Sequence, residues 1–61
     1  MLANKIRAGL YEHRGFEIRL NERYVWEVRE LGKDKVLYDG YTFDGARKLI
    51  DSWVKAGKIP A

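Results

Sequence analysis

The 61 residues carry 12 Lys+Arg against 9 Asp+Glu, one His and no Cys. That length holds one domain around one small core, and the absence of thiols excludes disulfide staples, thiolate zinc sites, iron–sulfur clusters and cysteine nucleophiles. No apolar run approaches the ~20 residues of a membrane helix, and 46% apolar with 13% aromatic residues is too much for a disordered chain.

Leu2, Ile6 and Leu10 lie four apart, the spacing of one short helix within residues 1–10 that Gly9 closes. So short a helix does not persist alone, so the segment must dock or lie as an arm. MLANKIRAGL lacks a continuous apolar region, so no signal peptide is expected. With no disulfide framework, a reducing, cytoplasmic setting is the expectation.

From Gly15 the period changes to two, and residues 15–43 predict a three-stranded antiparallel meander. Phe16, Ile18 and Leu20 alternate with Glu17 and Arg19, and Asn21-Glu22-Arg23 forms a short loop. Tyr24, Trp26 and Val28 resume the pattern against Glu27 and Arg29. Leu31-Gly32-Lys33-Asp34 turns the chain into a third strand, Val36 to Phe43. There Val36, Tyr38 and Gly40 share one face and Leu37 and Tyr41 the other, unless a bulge at Asp39-Gly40 swaps them.

Residues 44–57 form the clearest element. Ala46, Leu49, Ile50, Trp53 and Val54 follow the stripe of an amphipathic helix. Asp44 stands at the expected N-cap and Gly57 at the expected left-handed C′ position. Lys55 and Lys58 suit the negative end of the helix dipole, and Pro60 follows the stop.

Each apolar face must cover the other, which predicts a two-layer α+β domain: the meander on one C-terminal helix, with the short N-terminal helical segment beside them. Trp53 and Trp26 are expected to meet near the centre, leaving Glu17, Arg19, Glu27 and Arg29 in water on the second sheet face. Apolar burial worth about 95 kcal/mol stands against about 92 kcal/mol of ordering entropy. Such a domain is marginal, and tight aromatic packing or a partner must support it.

Little here points to catalysis. A lone His13 beside Glu12 and Arg14 offers one metal ligand where a site needs several, and it reads as a solvated residue entering the first strand. The acids mostly alternate with Arg or Lys, as ionised surface groups do, and no phosphate loop or Ser/His/Asp set is present. No enzymatic activity, metal, cofactor or small-molecule substrate is expected.

A sequence pI near 9.4 raises nucleic-acid binding. Residues 1–11 carry +2, residues 12–43 carry −1 and residues 44–61 carry +2, which accounts for the net +3. The sheet is thus close to neutral, whereas phosphate contacts need clustered cations. Arg47, Lys48, Lys55 and Lys58 read as a solvated helix face. Eight aromatic rings are many for so small a core. Val25, Leu31 and Leu37 or Val36, with Tyr41 or Tyr38, mark an outward apolar strip that suits a protein partner or a homodimer. Either edge strand of the meander could also pair with a partner strand.

The segment WEVRELGKDKVLYDGYTFDGARKLIDSW resembles the amino-terminal arm-type DNA-binding domains of tyrosine integrases. Thr42-Phe43, Ala46, Ile50 and Trp53 match that family's strand-to-helix junction, over residues 16–57. The resemblance implies three strands and a helix, with the open sheet face in the DNA major groove. Arg19 and Arg29 would lie on that face, with Arg14, Arg23, Lys33 and Lys35 at the strand ends, while Glu17 and Glu27 depart from the pattern. The chain is equally similar to small accessory proteins of phage and prokaryotic genomes. The first expectation is a small non-enzymatic binding module acting through protein contacts or self-association; the alternative is a DNA-binding accessory or regulatory domain.

Overall fold

The structure is a computed structural model that describes residues 3–57. Strands β1 (Asn4–Arg7), β2 (Leu10–His13), β3 (Phe16–Leu20), β4 (Trp26–Glu30) and β5 (Val36–Gly40) precede one helix, α1 (Phe43–Ala56). The strands form one antiparallel sheet in chain order, and α1 covers one face of it. The domain is α+β as expected, but with five strands where three were predicted.

The added strands replace the predicted N-terminal helix. Three apolar residues spaced through ten cannot offset the cost of a helical nucleus, whereas a hairpin pairs the backbone with the growing sheet. Gly9, at φ 77°, turns β1 into β2 instead of closing a helix. Leu2, part of the helical spacing, lies outside the described residues. Arg14 and Gly15 then take φ values of 52° and 85°, as the two central positions of a type I′ hairpin turn require. That turn sets Tyr11 opposite Ile18 and His13 opposite Phe16, so both point toward the helix.

The third predicted strand is shorter than the sequence suggests and ends at Gly40. Thr42, with extended backbone, is the N-cap, and its Oγ1 accepts a 3.1 Å hydrogen bond from the Gly45 N–H. Asp44 therefore sits in the first turn instead of capping the helix, where its charge still suits the dipole. Gly57 closes α1 at φ 68°, donating its N–H to the carbonyls of Trp53 and Val54. Lys58 and Pro60 lie outside the described residues. Thr42→Ala is expected to cost about 1 kcal/mol, read as a fall of roughly 4–8 °C in the thermal midpoint.

The bulge falls at Leu37 and not at Asp39-Gly40. Val28 pairs with Tyr38 while Arg29 pairs with Val36, which leaves Leu37 as the extra residue. Tyr38 and Gly40 stay on the helix side, and the Tyr38 ring lies over Gly40, where a Cβ would collide with it. A second irregularity between Lys5 and Arg7 leaves Ile6 exposed on β1.

Phe16, Ile18, Val28, Ala46 and Ile50 form the buried core, ringed by Tyr11, Trp26, Leu37, Tyr38, Phe43 and Trp53. The two tryptophans sit apart. Trp26 packs on Phe43 (ring centroids 5.2 Å apart) and Tyr11 (6.1 Å), and Trp53 packs on Phe16 (5.7 Å). Ten residues separate Phe43 from Trp53, about 15 Å along a helix axis, so α1 spreads its aromatics along the sheet. Among the described residues, no helix is long and apolar enough to cross a membrane.

Candidate functional site

The sheet face away from α1 is open, and strand register fixes its pattern. Glu17 lies opposite Arg29, and Arg19 opposite Glu27. The ion pairs themselves run along the strands: Arg19 Nε sits 3.0 Å from Glu17 Oε1, and Arg29 Nη1 sits 2.8 Å from Glu27 Oε1. Arg29 Nε donates to the Asp34 carbonyl at 3.1 Å, tying the face to the β4–β5 turn. The Glu27 carboxyl is held below its usual value, first by the 3.0 Å hydrogen bond from Asn21 Nδ2 and then by Arg29 and Arg19. Two shallow depressions of about 480 and 580 Å³ share Arg19 and Arg29 in their walls.

The six residues predicted for DNA contact do not converge. Arg19 and Arg29 occupy the open face, each bound to a glutamate. Arg14 turns toward the opposite side of the sheet, where its Nε donates to Asp51 on α1 at 2.7 Å. Arg23 is exposed in the β3–β4 loop, and Lys33 and Lys35 are exposed in the β4–β5 turn. Phosphate binding draws on clustered cations, and these six spread over two faces and two loops.

The predicted apolar strip is broken as well. Leu37 packs against the core, because the bulge turns it inward, and Val25 is half-buried. Leu31 and Val36 remain exposed where β4 leaves and β5 begins, whereas Tyr41 is 85% exposed at the opposite end of β5.

Tyr24, expected to alternate inward in the second strand, is instead in the loop, 78% exposed and at φ 60°. The Asn21 N–H donates to the Val25 carbonyl at 2.9 Å, and Asn21 Oδ1 accepts from the N–H groups of Arg23 and Val25. Three residues are left to close the hairpin, and such a loop commonly sets one of them in the left-handed region. The signal was present in the spacing of Asn21 and Val25, but no glycine marked the position.

His13 is buried and not solvated as expected, because the β2–β3 turn aims it at α1. Its Nε2 donates to Asp51 Oδ1 at 2.7 Å, and Arg47 Nη1 reaches Asp51 Oδ2 at 3.3 Å. Asp51 thus joins the β2–β3 hairpin to the helix through His13 and Arg14. These contacts hold its carboxyl below the ordinary value, the His13 hydrogen bond most of all. Among the described residues, no three His, Asp or Glu side chains converge as metal ligands. No family model matches this chain, and no curated protein or solved structure matches it either.

Proposed function

We propose that the chain is a small non-enzymatic binding module acting through protein–protein contacts, with Tyr24 and Tyr41 at its contact point. The observation that carries this is Tyr24. A side chain in the left-handed region costs about 1–2 kcal/mol, and a residue so exposed recovers little of that by packing. The loop hydrogen bonds hold that backbone in place, but the ring it carries packs little inside the fold, which leaves it for a contact outside. Trp26 pairs with Gly40, so Tyr24 and Tyr41 flank the same end of the β4–β5 ladder, with exposed Arg23 beside Tyr24. Tyrosine and arginine are residues that contribute most to protein interfaces, since each presents a large amphipathic surface at low entropic cost.

Tyr24→Gly is expected to raise stability by up to about 1 kcal/mol, because glycine adopts this conformation without strain. Combined with Tyr41→Ser, it should abolish capture of the partner. A photo-crosslinking residue in place of exposed Glu22, in the same loop as Tyr24, and affinity capture from the source cell, each in the wild-type and the double-variant background, read this out. Equal recovery of the same protein by both would remove the tyrosine end from the proposal, and recovery of nucleic acid alone would favour DNA binding. The charge-balanced open face supports protein contact over insertion of the sheet into a DNA groove.

A further inference from the structure

We infer that the open sheet face is a self-association surface on which a second copy of this chain docks face to face. The inference stands apart from the tyrosine end. It rests on the sign pattern that register imposes.

Near the β3–β4 loop, one row of open-face residues runs Arg7, Leu10, Arg19, Glu27 and Asp39 from β1 to β5. In the row near the β4–β5 turn, Asn4, Glu12, Glu17, Arg29 and Val36 follow in the same order, and the signs over β3 and β4 reverse. At the centre, Arg19–Glu17 and Glu27–Arg29 are two side-chain dipoles lying side by side and pointing in opposite directions. This is a quadrupole.

A quadrupole of this form matches itself. Turn a second copy over about a two-fold axis lying between β3 and β4 and parallel to them. Arg19 then meets the other Glu27, and Glu17 meets the other Arg29, each twice. An axis across the strands brings Arg19 over Glu17 and Arg29 over Glu27 instead. Every central contact joins opposite charges in both cases, which is the self-complementarity that a two-fold interface requires.

Other partners fit less well. Nucleic acid presents one sign, so half of the face would repel it. A mixed-charge segment can follow one row but not two rows of opposite phase. The required spacing, about 4.8 Å across strands and ~6.6 Å between alternate residues, is that of another antiparallel sheet, and the four central residues carry the matching signs.

Desolvation does not forbid the contact. The Glu17, Glu27 and Arg29 side chains are only 18%, 20% and 22% exposed, and Arg19 is the most open of the four at 46%. Much of the cost of removing their water has thus been met in the monomer. The area is small: five strands of about five residues cover roughly 400 Å² in projection, below the ~800 Å² per partner of a stable interface. The dimer is therefore weak and reversible.

Sedimentation of the purified chain at about 0.02 M and 0.5 M salt tests this, because the Debye length falls severalfold between those conditions. Association that weakens about tenfold or more at high salt is expected. Arg19→Glu should give monomer at both. Inverting all four central charges, Glu17→Arg, Arg19→Glu, Glu27→Arg and Arg29→Glu, keeps both ion pairs along the strands, gives up the Asn21–Glu27 and Arg29–Asp34 hydrogen bonds, and is checked for folding by circular dichroism. That variant should form its own dimer yet fail to co-assemble with labelled wild type, whose signs now oppose it. A monomer at every salt, or free mixing of the folded inverted chain with wild type, would overturn the inference. Neither result requires the unidentified partner of the tyrosine end.

Discussion

Ile50→Ala is expected to leave much of the chain unfolded at room temperature. Ile50 is fully buried, at the middle of α1 and in one cluster with Phe16, Ile18, Val28 and Ala46. Truncating a buried isoleucine to alanine costs about 2–5 kcal/mol, from lost transfer energy and the cavity left behind. A domain of this size rarely holds more than ~3–5 kcal/mol in reserve. Val54→Ala, on the exposed border of the same helix, should cost about 0.5 kcal/mol or less. Urea titrations followed by tryptophan fluorescence and far-ultraviolet circular dichroism compare the two. An Ile50→Ala chain with the wild-type midpoint would mean that α1 does not roof the sheet as described.

The second large effect is expected from Asp51→Ala. Asp51 is the one helix residue that receives hydrogen bonds from both His13 and Arg14, and Arg47 steadies it from the preceding turn. Its removal leaves the buried imidazole of His13 without this acceptor, and unmet polar groups of that kind are costly. The pH dependence follows from the direction of the shift. The Asp51 carboxyl is held below its free value of 3.8, chiefly by the His13 hydrogen bond. Its contribution is therefore fully present above that value and lost as pH falls through the lower folded-state value. Glu27 and Asp44 are lowered too, Glu27 chiefly by Asn21 and Asp44 chiefly by Arg47, so all three act in the same acid window. Below about pH 4 the wild type should lose stability steeply. Asp51→Ala should start lower at neutral pH and decline less steeply in acid. Parallel acid limbs for the two chains would show that the contact adds nothing to stability.

Most of the helix and the central hairpin could be read from the sequence, because period and burial agree there. Ala46 and Ile50 are buried at the predicted spacing, and Glu17, Arg19, Glu27 and Arg29 face water across from them. The N-terminal strands were not legible. Asn4–Arg7 is exposed throughout and has no alternation of polarity, and its strand exists only because β2 offers it a partner. Non-local pairing of that kind leaves little trace in local sequence. Burial of His13 was hidden for the same reason, since its partner lies 38 residues away. Leu37 shows a third cause: a single extra residue reverses every inward and outward assignment on one side of it. The candidate surfaces divide in the same way. The balance of the open face could be counted from charges alone, but the exposure of Tyr24 depended on loop geometry.

The irregularities on β1 and β5 have a consequence for how the sheet ends. Both are border strands, and each is interrupted, β1 at Ile6 and β5 at Leu37, its second residue. An unpaired border is a template for fibril growth unless something spoils its straightness, and a local kink with added twist does so. Lys5 and Arg7 add like charge along one of these borders. A chain with so many β-branched and aromatic residues is thereby steered away from strand-by-strand polymerisation at both borders of the five described strands.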